Sequence, residues 1–380
     1  AIPIGYLVDH RNRKWILAAG LWMWSLATIL CGTAKGFMGL FAARVGVGVG
    51  EASVSPAASS LIADYFPPEK RAKAYGIFML GSTLGTGMAY LVGALALQMT
   101  ERIHALDVPW LAEFKSWQLV FFIIGAPGLL LALLLLATVR EPVRREKLVR
   151  SSSFTMAPII TILKANRISY FTVIGGTVFN LICVYAQLAW LPTLFIRSHG
   201  WAADEVSVAF GVVVLPIGVF SAFSAGWLMN WLSDRGQSDA PLTVMKLHAI
   251  FLAIFGSLTC LSSTSTLAYV GFMFVTIPAA WSYAAALAAL NQITPNELRG
   301  QITGVYTLVT GLVSMGVGAF AVGLLSDKIF PSATGIAPSL ATVNLISSIV
   351  SILILVAGAG AFRRAADNAK AWLERAGVGA

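Results

Sequence analysis

The sequence predicts an all-α polytopic membrane protein, and three observations carry that prediction. Hydrophobic residues make up 57% of the chain and charged residues 11%, with a mean hydropathy of +0.79. A soluble domain carries about 25% charged residues, so most of this chain is surrounded by lipid or by other helices. Apolar runs long enough to cross a bilayer recur ten times. The connections between them are short and charged or rich in Pro, Gly and Ser, with no room for a soluble domain of any size.

Taken in order, the runs lie at 15–33, 38–64, 74–99, 117–139, 168–196, 205–232, 244–262, 266–292, 301–325 and 339–362. Residues 1–8, AIPIGYLV, precede them without an initiator Met or a basic-flanked signal peptide, and read as the tail of a span already under way. Alternate gaps differ sharply in charge. The set formed by 10–14, 67–73, 140–167, Arg235 with Lys246, Arg299 and the tail after Phe362 holds 20 of the 26 Lys and Arg. The opposite gaps hold 5, and Arg44 alone lies well inside a span. The positive-inside rule therefore predicts a multi-pass protein of the cell (inner) membrane with a cytoplasmic C-terminus. The net charge of +9 is read as topology and contact with anionic lipid heads, not as a nucleic-acid footprint.

An internal repeat divides the chain. PPEKRAKAYG (67–76) and PNELRGQITG (295–304) share Pro, Glu, Arg and Gly at an offset of 228, and GYLVD (5–9) is echoed by GWLMN (226–230) at an offset of 221. Two similar halves joined by a charged segment account for this. The predicted organisation is an incomplete N-terminal bundle at 1–139, a linker at 140–167 and a C-terminal bundle with a short tail at 168–380.

Gly5-Tyr6-Leu7-Val8-Asp9-His10-Arg11-Asn12-Arg13-Lys14 resembles the loop motif G-x-L-x-D-R-x-G-R-[RK] of the major facilitator superfamily, with His10 and Asn12 at two positions where Arg and Gly are usual. That loop lies between helices 2 and 3 of twelve. The resemblance thus implies two pseudo-symmetric helical bundles in which the ten spans are helices 3–12, with helix 1 and most of helix 2 missing. RVGVGVGEASVSPAASSLIADYF and the downstream LGSTLGTGMAYLVG resemble the spinster family within that superfamily. Spinster-type proteins are implied to be proton-linked secondary active transporters of lysolipids and sphingoid amphiphiles, working by alternating access. In the loop motif Gly5 permits close helix approach. Asp9 would meet the positive N-terminus of a helix beginning near Gln301, an assignment carried over from the family. Arg11, Arg13 and Lys14 would bridge to carboxylates such as Asp64 or Glu69, making Gly5, Asp9, Arg13 and Lys14 a cytoplasmic gate. The alternative is that the loop only fixes topology.

RVGVGVGEASVSP (44–56) places two full charges in an apolar span. Seven residues are almost two helical turns, so Arg44 and Glu51 share a face about 10 Å apart along the axis, with Gly48 and Ser55 between and beyond them. A charge at that depth must face a partner or a cavity. One reading is a buried structural salt bridge, and family relatives imply an Asp-Arg pair on helix 1 as partner. The other assigns separate tasks. Arg44 stays protonated and presents a fork suited to a phosphate-bearing head group, whereas Glu51, the one mid-span carboxylate, can carry the coupling proton.

Other polar groups inside spans are sparse. Asn180, Gln187, Trp281, Tyr283, Thr307 and Thr310 are cavity candidates with Ser55, though a hydroxyl stripe such as Thr303, Thr307, Thr310 and Ser314 equally suits helix packing. Pro192, Pro216 and Pro278 are candidate kinks, and Gly81, Gly85, Gly87 and Gly93 suit close packing. Cys31, Cys183 and Cys260 lie in different spans without metal-type spacing, so no metal and no cofactor is called. No H-E-x-x-H or G-x-S-x-G occurs, which argues against an enzyme. One charged pair amid aromatic and small apolar surface suits a small amphipathic, lipid-like substrate and protons, handled by a monomer. A proton-linked organic-anion or drug carrier is the main alternative, with a non-transporting receptor more remote.

Overall fold

The computed structural model describes Leu7 and residues 11–105, 113–142, 156–295, 298–332 and 334–375, apart from some side chains within helices. Gly5 and Asp9 lie outside the described residues. All regular structure described is helical: α1 (Arg13–Gly32), α2 (Phe37–Glu51), α3 (Val54–Tyr65), α4 (Pro68–Ala105), α5 (Ser116–Thr138), α6 (Met156–Ala165), α7 (Arg167–His199), α8 (Ala203–Asp234), α9 (Ala240–Phe251), a π-helical turn Leu252–Gly256, α10 (Ser257–Leu261), α11 (Ser265–Thr276), α12 (Trp281–Ile293), α13 (Arg299–Lys328) and α14 (Ile336–Arg375). Nine stretches among the described residues are long and apolar enough to cross a membrane, and α4, 38 residues long, covers the remaining predicted run.

Local sequence explains the ends. Asn12 caps α1 by accepting from the Trp15 amide at 3.1 Å. Lys115 opens α5, its amide donating to Gln118 Oε1 at 2.9 Å. Gly200 ends α7 in the left-handed region at φ 72°, a position glycine occupies without strain.

Four expectations are refined. The span 38–64 is two helices broken at Ala52–Ser53. Pro56 supplies no N–H to the Ala52 carbonyl four residues back, and its ring crowds that group. Pro278 sits in the break between α11 and α12, while Pro192 and Pro216 lie within continuous helices. A side chain built at Gly81, Gly85 or Gly93 would meet nothing within 4 Å, so these glycines pack against no described group. α8 runs through Asn230 to Asp234, and Gly236 follows at φ 84°. N-W-L-S-D-R (230–235), which closes this helix, shares Leu and Asp with G-Y-L-V-D-H, as GWLMN shares Gly and Leu, so the segment offers two registers for the echo.

Two compact units are present: Ala1–Ser151 with Ala203–Gly211, and Ser152–Ala202 with Val212–Ala380. In the first, α1 packs along α5 and α2 around Ala27, Cys31 and Val47. In the second, α7 packs against α14 and α13, and α9 against α12, over a larger core that includes Tyr170, Met245, Leu290, Tyr306 and Phe362.

Candidate functional site

In the first unit, glycine determines how α2 meets α1. A methyl group built on Gly50 would lie 2.6 Å from the Gly20 carbonyl oxygen, and one on Gly20 would lie 1.8 Å from Ser53 Oγ. Gly46 faces Ala27, and Val47 is buried in the cluster with Cys31. This is the packed face of RVGVGVGE. Arg44, Gly48, Glu51 and Ser55 fall on the other side and are exposed, and nothing stands within 4 Å of a side chain built at Gly48. Among the described residues neither Arg44 nor Glu51 has a salt-bridge or hydrogen-bond partner, and they do not pair with each other. Both charges sit between Phe37 and Tyr65 with Met38, Phe41, Val45 and Val49 exposed beside them, a surface suited to lipid or to another apolar segment.

Arg13 is the opposite case. It is 1% exposed, and its guanidinium gathers three segments. It forms a salt bridge with Asp64 at the end of α3, and Nη1 donates to Ser60 Oγ at 2.9 Å and to the Ser60 carbonyl at 3.1 Å. Nε donates to Glu141 Oε1 at 2.8 Å and Nη2 to the Pro142 carbonyl at 3.1 Å. The Lys14 amide completes the cluster by donating to Glu141 Oε2 at 2.9 Å. Beside it the Tyr65 hydroxyl donates to the Arg140 carbonyl, and the Arg140 amide returns a bond at 3.1 Å. Burial raises the Glu141 carboxyl, but the Lys14 amide and Arg13 guanidinium outweigh it and hold the group below its ordinary value. Asp64 was anticipated as an Arg13 partner. Glu141 was not, because its segment was read for its basic count alone.

In the second unit, four cavity candidates are interior groups. Asn180, fully buried, donates to the Met245 carbonyl at 3.1 Å and to Ser282 Oγ at 2.9 Å. Gln187 donates to Asn344 Oδ1 at 3.3 Å, and Trp281 Nε1 to Ser224 Oγ at 2.9 Å. Thr310 returns its hydroxyl to the Tyr306 carbonyl at 2.7 Å, and Ser314 on the same stripe donates across to the Val178 carbonyl at 3.0 Å. Thr307 and Tyr283 are exposed. One buried titratable group, His248, is not among the candidates read from the sequence. It lies two turns into α9, wholly buried, with neither ring nitrogen bonded among the described residues. The sequence signal was available: a lone His within an apolar run.

Known proteins resemble this chain along nearly its whole length. It is 26% identical over 336 residues to an MFS-type efflux pump of Mycolicibacterium smegmatis, covering 86% of this chain and 72% of that protein. It is 24% identical over 360 residues to Protein spinster of Drosophila melanogaster, covering 90% of this chain and 57% of that one. It is 25% identical over 350 residues to human Protein spinster homolog 1, of which it spans 62%. Among solved structures, the crystal structure of a bacterial homolog to the human lysosomal transporter Spinster, inward-facing and unoccupied, superposes with a TM-score of 0.74 at 24% identity, over 96% of this chain and 85% of that one. The family description Major Facilitator Superfamily matches residues 1–319, and the chain belongs to that superfamily.

Proposed function

We propose that this multi-pass, spinster-like secondary transporter couples the movement of an amphipathic substrate of the lysolipid or sphingoid type to protons. Membership of a transporter superfamily supplies the class of activity. The observation that carries the finer reading is the unpartnered stripe on α2 and α3. Arg44 and Glu51 stand exposed on one face of an otherwise apolar helix, with Gly48 leaving room between them. A charge at bilayer depth costs at least a few kcal/mol unless it faces water, a substrate or a partner. On this reading Arg44 holds an anionic head group, Glu51 loads and releases the proton, and the apolar side chains beside them accept the tail. Proton loading of Glu51 removes its charge and so changes the field felt at Arg44, which ties substrate affinity to protonation.

The cluster around Arg13 serves a different end. About thirteen residues separate Glu51 from Asp64, or ~20 Å of helix, so the cluster is remote from the proposed site. It ties α1, α3 and the start of the linker within the first unit, and on this reading it holds in place the loop of the cytoplasmic gate rather than bridging the two halves itself. Gly5 and Asp9 belong to that proposed gate through the loop motif.

A second reading rests on the likeness to an MFS-type efflux pump: an organic anion or drug replaces the lipid, with the same roles for Arg44 and Glu51. The test is uptake into proteoliposomes of the full-length protein, comparing labelled lysolipids with organic anions, with and without a pH gradient. Gradient-dependent lysolipid uptake is the expected result. Uptake of organic anions alone replaces the lipid reading with the second.

A further inference from the structure

The second unit carries a cleft that the transport site does not use. Gly236, Gln237, Ser238, Asp239, Thr243, Lys246 and Arg363 line a space of about 470 Å³ between the α8–α9 turn and the far part of α14. Two cations from different helices face it, Lys246 of α9 and Arg363 of α14. Among the described residues neither is in a salt bridge. Asp239 is the one carboxylate in the lining, so the cleft keeps a net positive charge. Ser238, Thr243 and Gln237 add donors without charge.

A separate observation sets the depth of this cleft relative to a bilayer. Trp227 and Trp231 stand at i and i+4 on the exposed face of α8, and Arg235 extends the series in the turn just past its end. The two indoles stack at 6.3 Å between centroids, and the Arg235 guanidinium lies 3.6 Å over the Trp231 ring. Trp227 and Trp231 are 65% and 38% exposed at the end of an apolar helix, the placement of an interfacial aromatic belt. Gly236 follows Trp231 by about 7.5 Å of chain at helical rise, which takes the cleft from the belt to the phosphate layer. Lys246 starts deeper in α9, but its side chain tilts toward the helix N-terminus and lets its ammonium snorkel to the same level. A free-standing pair of cations in water would gain little from such placement. At phosphate depth each is attracted to anionic lipid.

We propose that this cleft is a binding site for the phosphodiester of an anionic phospholipid, with Lys246 and Arg363 as its charge pair and Asp239 as a built-in limit on its affinity. The site is independent of the substrate assignment and holds whatever the protein transports.

The test uses the full-length protein, purified and delipidated, with bound phosphatidylglycerol and phosphatidylcholine counted by native mass spectrometry. The wild type is expected to retain phosphatidylglycerol in preference to phosphatidylcholine. Lys246→Gln with Arg363→Gln is expected to weaken that retention about 30-fold, the worth of two basic contacts with an anionic lipid surface. Asp239→Asn is expected to strengthen it. Lipid-free melting curves for each variant separate loss of the site from loss of the fold, and Lys246→Arg with Arg363→Lys is expected to restore retention. Wild-type retention in the Gln double variant, or weaker retention in Asp239→Asn, overturns the proposal. A parallel arm adds millimolar inorganic phosphate. Competition with phosphatidylglycerol in the wild type alone supports recognition through the phosphate group, whereas stabilisation by phosphate with no lipid retained assigns the cleft to the free anion and overturns the lipid source.

Discussion

Two arginines of the first unit, Arg13 and Arg44, occupy contrasting surroundings. Arg13 is 1% exposed and uses its guanidinium on two carboxylates, two carbonyls and a hydroxyl. Arg44 is exposed in the middle of an apolar stretch and has no salt-bridge or hydrogen-bond partner among the described residues. A buried cation with each guanidinium nitrogen engaged is fixed by its neighbours and resists change. One left without partners at depth is poised to acquire one, and substrates and protons are what a transporter brings. On the proposed function the same side chain serves structure at one end of α1 and chemistry on α2, and what separates them is the satisfaction of the charge.

The sharpest way to break this comparison is to remove the satisfied arginine. Arg13→Ala removes the guanidinium that the buried Asp64 and the half-buried Glu141 share, and breaking such a buried ion pair costs about 3–5 kcal/mol. Thermal unfolding of the purified protein is expected to show that loss, with reduced yield. A variant that melts like the wild type would show the cluster to be decorative. Arg44→Ala in the same assay is expected to leave stability nearly unchanged.

Next in size is Glu51→Gln, which keeps the shape of the protonated side chain without a removable proton. With one coupled proton, a gradient of two pH units can sustain about hundredfold accumulation, ~2.7 kcal/mol. The variant is expected to lose all of it while still exchanging substrate down its gradient. Accumulation that still follows the imposed gradient would move the proton to another group, and His248, buried and unbonded among the described residues, is the first to examine.

How much of this was legible in the sequence depends on the kind of signal. Helix positions were legible because membrane burial writes itself as long apolar runs, and each predicted run lies, to within a residue at its ends, inside a helix or a closely spaced series of helical segments. The break at Ala52–Ser53 was missed although Pro56 announces it, because hydropathy averages over a missing N–H. Asp64 could be named for Arg13 from a motif, whereas Glu141 stands 128 residues away in sequence and lies in a segment read only for net charge. Asn180, Gln187 and Thr310 were cavity candidates because sequence does not tell which side of a helix meets another helix. Each turned out to be bonded to a neighbouring helix or to its own backbone.

A smaller effect sharpens the role of the unsatisfied arginine. Arg44→Ala is expected to weaken binding of anionic-headed substrates about tenfold, ~1.4 kcal/mol, and to leave neutral amphiphiles of equal tail length unaffected. Binding to the purified protein, measured for matched anionic and neutral lysolipids, decides it. Equal loss for both would return Arg44 to a structural part.

The smallest effect lies in the satisfied cluster and turns on pH. Glu141 is held below the ordinary carboxylate value of about 4.3, because the Lys14 amide and Arg13 favour its charged form. A carboxyl depressed in the folded state binds fewer protons there than in the unfolded chain, so its contribution is fully present above the ordinary value. It is lost as pH falls through the lower, folded value. Glu141→Gln keeps one acceptor oxygen but no charge, and is expected to cost about 1 kcal/mol at pH 7. The gap between wild type and variant should hold steady from pH 7 to pH 5 and close only below about pH 4. Melting temperatures of both proteins across that range provide the measurement. A gap that closes between pH 7 and pH 5 would mean that another titrating group controls the cluster, and a gap that persists in acid would mean that Glu141 acts there by shape alone.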